Sequence, residues 1–165
     1  MKQILCILLT LAALLCVCAC DTEKTVDAAF SPFTYQGTKV ALDTEAAPII
    51  SALGEYVAFA ETNSCYGDGK DKVYQYQSFK LTTYSQKGVD YVLAVELLND
   101  TDEAAITPEG VRVGDDASLV IAKYGDAKEQ SDTSLIYEDK TAKTRLQFLL
   151  RDGKVTNIQY LKSEG

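Results

Sequence analysis

The chain has 165 residues, a formal net charge of −8 and no histidine. The absence of histidine excludes Ser-His and Cys-His nucleophilic sites, imidazole general bases and most zinc sites. The excess of acidic residues excludes nucleic acid from the expected partners, because phosphate groups repel an acidic surface.

The first residues have the order of an export signal. Lys2 precedes an apolar run from Ile4 to Val17, which is shorter than the roughly 20 residues that a membrane-spanning helix needs. The segment Val-Cys-Ala-Cys at 17–20 resembles a lipobox, in which the thiolate of the last cysteine takes a diacylglyceryl group. We therefore predict a lipoprotein signal peptide at 1–19 and a lipid on Cys20. An ordinary signal peptide cleaved nearby is the alternative.

The predicted lipid on Cys20 determines the expected location and cofactor. A diacylglyceryl group carries two acyl chains, which is enough for stable anchoring. We expect the protein on the extracytoplasmic face of the cell membrane, with no metal and no cofactor beyond this covalent lipid. Two stretches, at 68–71 and 99–102, contain oxygen ligands of the kind that calcium prefers. They lack the spacing of a calcium loop, and turn formation explains both.

Cys65 is the one thiol that remains after cleavage and lipidation, so no intramolecular disulfide is expected in the mature chain. One hypothesis makes Cys65 a reactive thiol or half of an intermolecular disulfide. The other makes it a half-buried small apolar residue at the end of a strand, as free cysteines often are. We retain Cys65 as a candidate reactive thiol.

Residues 20–34 are mostly polar and small, which predicts a flexible tether. Beyond the tether, one pattern occurs twice. A short apolar stripe with helical spacing ends at Gly54, and a second stripe ends 71 positions later at Gly125. The stripes consist of Ala46, Ile49, Ile50 and Leu53 and of Ala117, Val120, Ile121 and Tyr124. The fixed offset favours internal duplication over a chance similarity of two amphipathic helices.

Segments typical of β-strands follow each of these glycines. They are rich in Tyr, Val, Phe and Thr and are separated by the turns Asp68-Gly69, Lys87-Gly88 and Asp152-Gly153. One helix on three strands buries little, so we expect two such units to pack together. We therefore predict an α+β fold made of two repeats, each a short helix plus a three-stranded antiparallel sheet. Repeat 1 covers residues 35–100 and repeat 2 covers residues 101–165.

The second helix has the spacing Gly-Asp-x-x-x-x-Val-x-x-x-Tyr-Gly, from Gly114 to Gly125. Together with the strands after it, this helix resembles the β-lactamase inhibitory protein fold and the related small outer-membrane-assembly lipoproteins. The stretches at 64–71 and 107–110 are also similar to small lipoproteins of Gram-positive anaerobes. These resemblances imply a fold and a location. No inhibitor residues are carried over, because the disulfides of the inhibitors are impossible here.

The tyrosines are the candidate binding residues, since the chain has ten of them and no tryptophan. Tyr74 and Tyr76 are expected on the same face of one strand, with Tyr84 on that face further along. If exposed, they form a recognition surface for a protein or a glycan. If packed, they are cross-strand pairs within the sheet. We take the three as the candidate binding surface.

Three functions are compatible with these features. The first is a membrane-anchored, non-catalytic binding or envelope-assembly module that contacts a protein or another envelope component. The second is a hydrolase that uses paired carboxylates, and the third is a ligand-binding accessory lipoprotein of a transporter. A binding module predicts an exposed aromatic or apolar patch, whereas a hydrolase predicts a pocket with a carboxyl group of raised pKa. We expect the binding module and no catalytic residues.

Overall fold

The computed structural model of the protein describes residues 30–64 and 66–163. The predicted signal peptide, Cys20 and Cys65 lie outside these ranges. Within them, ten strands and two eight-residue helices form. No helix in the described ranges is long and apolar enough to cross a membrane.

The described part of the chain forms a small hairpin first, followed by two successive sets of one helix and four strands. The hairpin consists of β1 (Phe33–Tyr35) and β2 (Thr38–Val40), joined at Gln36 and Gly37, both with positive φ. The first helix and its strands are α1 (Ala46–Leu53), β3 (Ala58–Asn63), β4 (Lys70–Gln75), β5 (Phe79–Gln86) and β6 (Val89–Leu97). The second set is α2 (Ala117–Tyr124), β7 (Glu129–Gln130), β8 (Ser134–Asp139), β9 (Thr144–Arg151) and β10 (Lys154–Lys162).

The predicted α+β fold of two packed three-stranded units is wrong. Strands β3 to β10 form one antiparallel sheet of eight strands, in the order β3-β4-β5-β6-β10-β9-β8-β7, and strands far outweigh helices. The two sets of strands meet edge to edge, where Leu97 pairs with Ile158 and Ala94 pairs with Leu161. Edge pairing gives the backbone N–H and C=O groups of β6 and β10 hydrogen-bond partners. Stacking of two separate sheets would leave the groups on the outer sides of these strands unpaired.

The sheet has one covered face and one open face. The covered face contains a cross-strand row of buried residues, Leu81, Val95, Tyr160 and Leu146, which belong to the same core as Ala46 of α1 and Val120 of α2. The next row lies on the opposite face and is polar, with Lys80, Glu96, Gln159 and Gln147. Both helices therefore lie on one side of the sheet.

The two helices lie where the sequence predicts them, and glycine ends each one. Gly54 and Gly125 have φ values of 79° and 77°, which favour glycine. Their amide groups donate to the carbonyl oxygens of Ile50 and Ile121. Pro48 lies in the first turn of α1, where its missing N–H costs no helical hydrogen bond.

The start of the described chain is packed, although residues up to 34 were assigned to the flexible tether. Phe30 and Phe33 are 9% and 0% exposed, and the Phe33 ring lies 5.3 Å from that of Phe79. Two carboxylates from the segment between β6 and α2 hold this region. Glu109 accepts the Ser31 amide at 3.0 Å, and Asp102 accepts the Tyr35 hydroxyl at 2.6 Å. Residues 30–34 are thus part of the folded domain.

Truncating a residue at the β6–β10 join should reduce stability strongly. Leu97 is fully buried and pairs with both Phe79 and Ile158. We expect Leu97→Ala to lower the free energy of unfolding by about 2–5 kcal/mol, because it leaves a cavity at the centre of the sheet. Urea denaturation measures the loss. Lys39→Ala, on the exposed face of β2, is the control and should change stability by less than about 0.5 kcal/mol. Equal effects of the two substitutions would contradict this description of the core.

Candidate functional site

The three candidate tyrosines do not form one surface. Tyr76 is 4% exposed and stacks on Phe79 with ring centroids 4.7 Å apart. Tyr84 is 5% exposed, and its hydroxyl donates to Asp43. Tyr74 lies beside two exposed aromatic rings, whereas Tyr84 contacts one, that of Tyr66. The two other candidate residues, Cys20 and Cys65, fall outside the described residues.

Tyr74 belongs to a group of three rings near the start of the sheet, which we call the aromatic cluster: Tyr56, Phe59 and Tyr74. The Tyr74 ring lies 5.2 Å from Tyr56 and 5.1 Å from Phe59, both tilted or edge-on arrangements that aromatic pairs prefer. Tyr56 and Phe59 are 44% and 45% exposed. Val57, next to them in the chain, is 69% exposed. Large apolar groups are therefore concentrated at one place on the surface.

The aromatic cluster is exposed because the covered face of the sheet extends beyond its helices. Phe59 pairs with Tyr74, Tyr74 pairs with Leu81, and Leu81 pairs with Val95. Paired residues in an antiparallel sheet point to the same face. Leu81 and Val95 are fully buried, whereas Phe59 is not. This cross-strand row of residues is therefore buried in the middle of the sheet and exposed at β3.

Strand β3, which carries Phe59, is also the edge of the sheet. All six of its residues are exposed, and within residues 30–64 and 66–163 no strand pairs with its outer side. Charged pairs flank the aromatic cluster, with Glu61 bonded to Lys70 and Lys72 bonded to Asp90 at 2.6 Å. An exposed edge of this kind offers backbone donors and acceptors to an added strand.

Tyr56 and Phe59 are not among the binding residues predicted from the sequence. The available signal was two aromatic residues within five positions of the glycine that ends α1, one before β3 and one inside it, where the other residues are small or polar. Alternation along the strand gives the face on which Phe59 lies, but it does not reveal where the helices stop covering that face. Exposure at this point depends on the strand order of the whole sheet.

Asp43 takes part in a compact group of charges and rings. Its carboxylate accepts the Tyr84 hydroxyl and the Lys162 ammonium, the latter at 2.8 Å. Burial acts against ionisation of Asp43, but the hydrogen bonds from Lys162 and Tyr84 outweigh it and lower the pKa of Asp43. Burial also acts against the charge of Lys162, and the same two contacts outweigh it and raise the pKa of Lys162 to about 12. The pair is therefore ionised at neutral pH.

Two further carboxylates are held in their ionised form. Burial opposes ionisation of Asp90, but the hydrogen bond from Lys72 helps to lower the pKa of Asp90. The hydrogen bond from Lys128 lowers the pKa of Glu138. A hydrolase needs a carboxyl group that stays protonated, and these three groups are shifted in the opposite direction. In the described part of the chain, no group of three or more acidic or cysteine side chains is placed to hold a metal ion.

No protein-family model and no curated protein matches the chain. Among solved structures, a cysteine-rich secretory protein of Staphylococcus aureus is similar in fold, with a TM-score of 0.51 and 12% sequence identity. The match covers 81% of this chain and 49% of that one, so this chain spans about half the length of the structure it matches. At this identity the likeness concerns the fold alone. The resemblance to the β-lactamase inhibitory protein fold stays a prediction.

The Asp43–Lys162 contact predicts a pH dependence of stability. Because the pKa of Asp43 in the folded state is below its ordinary value of 3.8, ionised Asp43 stabilises the fold above that pH. The contribution is lost as the pH falls through the folded-state pKa. We expect the melting temperature of the wild type to exceed that of Asp43→Asn at pH 6, and the difference to shrink below about pH 4.

Thermal melts of both proteins from pH 6 to about pH 2.5 make this measurement. Asp132→Asn is the control, because it removes the same charge from an exposed loop position. A melting-temperature difference for Asp43→Asn that stays constant or grows on acidification would contradict the assignment.

Proposed function

We propose that the protein is a membrane-anchored, non-catalytic module that binds an extended segment of a partner protein along strand β3. The observation that carries the proposal is the aromatic cluster next to the exposed edge of that strand. In this arrangement the partner segment adds a ninth strand, and its alternate side chains lie on Tyr56, Phe59 and Tyr74. Backbone hydrogen bonds contribute affinity, and the rings select the apolar side chains of the partner.

The composition of the aromatic cluster supports a protein partner. Tyrosine and other aromatic residues are enriched in the central parts of protein interfaces, because they bury a large area at a low cost in side-chain entropy. The three rings already contact one another at 5.1–6.0 Å, so they are partly ordered before binding. A preorganised surface loses less entropy when the partner binds.

The edge of β3 supports an extended segment as the occupant. Long exposed edge strands are usually protected by a charge, a proline or a bulge. In β3 the first three residues are Ala58, Phe59 and Ala60, and the one charge, Glu61, is paired with Lys70. Strand β3 contains no proline, and its pairing with β4 has no bulge. The net charge of −8 favours a partner segment with basic flanks.

The state of the carboxylates supports binding over hydrolysis. Asp43, Asp90 and Glu138 are each held ionised by a lysine, as structural ion pairs are. The lipid proposed on Cys20 places the module on the extracytoplasmic face of the membrane, where it meets other envelope proteins. Anchoring also raises the effective concentration of the module near membrane-associated partners.

The partner can be located by photo-crosslinking in the native cell. A photoreactive residue at position 62, on the exposed edge of β3, should give a discrete adduct, and the same residue at position 128 should not. Phe59→Ala should reduce the yield of that adduct at least tenfold, because interface aromatics commonly contribute more than 1.4 kcal/mol. Gln130→Ala is the matched control, since it changes an exposed residue on β7, the strand at the opposite edge of the same sheet. It should leave the adduct unchanged.

Strand addition has its own readout. A synthetic peptide that covers the crosslinked segment should slow amide exchange in residues 58–63 of the wild type and not of Phe59→Ala. An adduct whose yield does not depend on Phe59, or a peptide that protects none of these amides, argues against the proposal. Because Phe59 is 45% exposed, its truncation is expected to leave the melting temperature nearly unchanged, which separates loss of binding from loss of fold.

The anchor is tested independently. Cys20→Ser should move the protein from the membrane fraction to the soluble extracytoplasmic fraction, and it should abolish incorporation of labelled fatty acid. Loss of Cys65 by Cys65→Ser should do neither. If Cys20→Ser remains membrane-bound and labelled, lipidation of Cys20 is wrong, although partner binding through the aromatic cluster could still be measured.

A further inference from the structure

A cleft lies on the open face of the sheet, away from both helices. It encloses about 280 Å³. Its lining residues are Tyr66, Arg145, Leu161, Lys162 and Ser163. Leu161 pairs with Arg145 across β10 and β9, in the row next to the buried pair Tyr160 and Leu146. Since neighbouring rows point to opposite faces, Leu161 and Arg145 lie on the face that no helix covers.

One wall of the cleft is built by the loop between β3 and β4. A side-chain carbon on Gly67 would lie 2.0 Å from the Ser85 carbonyl oxygen, so the loop backbone sits directly on β5. The Asp68 amide donates to the same carbonyl at 3.1 Å. This close contact places the Tyr66 ring 5.2 Å from Tyr84. The position of Tyr66 is therefore determined by packing of the loop against the sheet.

The cleft is also lined by Arg145, a partly exposed cation that has no close carboxylate partner. The Nε atom of Arg145 is buried and has no hydrogen-bond partner among the described residues. The nearest carboxylate contact of the guanidinium is 3.7 Å, from Nη2 to Glu138, and Glu138 is also bonded to Lys128. A buried donor without an acceptor is costly, and arginine normally binds carboxylates through two parallel hydrogen bonds.

Lys162 is the second cation that lines the cleft. Its ammonium group lies 5.1 Å from the Tyr66 ring centroid and 5.0 Å from that of Tyr84, and it is bonded to Asp43. Arg145 and Lys162 give this part of an acidic chain two cations. Leu161 and Tyr66 supply apolar surface beside them.

We propose that this cleft binds a small organic carboxylate, meaning an apolar or aromatic group that carries one carboxylate. The carboxylate accepts hydrogen bonds from the Nη groups of the Arg145 guanidinium, whose side chain is 41% exposed, and the apolar group lies on Leu161 and Tyr66. A volume of about 280 Å³ is near the lower limit of small-molecule sites and suits a body of about one amino-acid residue. The cleft and the aromatic cluster lie on opposite faces of the sheet, so this site does not depend on the function proposed above.

The same chemistry has two sources, a free carboxylic acid and the C-terminal residue of a peptide. N-acetyl-L-phenylalanine is the probe for the first, and a five-residue peptide that ends in phenylalanine is the probe for the second. N-acetyl-L-phenylalaninamide and the amidated peptide keep the apolar group and remove the charge. Binding is measured on the full chain in detergent, by titration and by the NMR shifts of backbone amides.

The acid should bind at least tenfold more tightly than its amide, and the shifts should centre on residues 66, 145 and 161–163. If the peptide binds as tightly as the free acid, the ligand is a chain terminus. If only the free acid binds, the ligand is a small molecule. Equal binding of acid and amide, or shifts that map away from the cleft, would overturn the proposal.

Two substitutions in one ion pair separate binding from folding. Arg145→Gln should weaken binding of the acid at least tenfold, because it removes the charged donor. Glu138→Gln removes the competing carboxylate and should strengthen binding or leave it unchanged. A folding defect at this pair would weaken binding in both variants. Wild-type affinity in Arg145→Gln, or equal weakening in both variants, contradicts the assigned role of Arg145.

Discussion

The structure depends on the antiparallel pairing of β6 with β10. Four residue pairs, from Leu97–Ile158 to Ala94–Leu161, join two segments about sixty positions apart in the sequence and turn two four-stranded sets into one sheet. Both strands are central, so their backbone groups are satisfied on both sides and their inward side chains form the middle of the core. Contacts this distant in sequence are entropically costly to form, and extensive burial on the covered face offsets that cost.

A single wide sheet with two short helices cannot be covered completely. Eight residues of helix extend about 12 Å, and eight strands spaced about 4.8 Å apart extend roughly 34 Å across. The helices and the hairpin cover the central strands, and the cover ends before β3. The aromatic rings at that edge are therefore a geometric result of joining the two sets edge to edge. Stacked sheets would have buried the same row.

Local features of the fold could be predicted from the sequence, and its long-range features could not. The apolar spacing of Ala46 to Leu53 and the glycine after it determine a helix within eight residues, so both helices appear at their predicted positions. The choice between edge pairing and stacking depends on contacts between distant strands, which residue periodicity does not encode. Strand β6 carries apolar residues on both faces, a pattern typical of a strand that is covered on both sides. Its second face is instead half-buried on the open side of the sheet.

In the candidate site, too, local features could be predicted from the sequence and long-range features could not. Strand alternation placed Tyr74 and Tyr76 on one face, but Tyr76 follows the end of β4 and packs on Phe79 in the core. Whether a strand tyrosine is exposed depends on which element lies above it, and that is a property of the assembled sheet. The segment after β6 has the polar composition typical of a simple connector. Its carboxylates, Asp102 and Glu109, instead accept hydrogen bonds from the start of the domain.

Those two carboxylates also determine where mechanical load enters the domain. Cys20 and Phe30 are ten positions apart, a span of at most about 36 Å when the chain is fully extended. Tension on the lipid proposed at Cys20 would enter the described domain at Phe30, whose ring lies 6.4 Å from that of the buried Tyr160. It is carried first by Glu109, Asp102 and a hairpin of two three-residue strands. The hairpin is a two-stranded sheet of its own, so such a load would reach the eight-stranded sheet, and the aromatic cluster at its edge, only through packing contacts such as Phe33–Phe79.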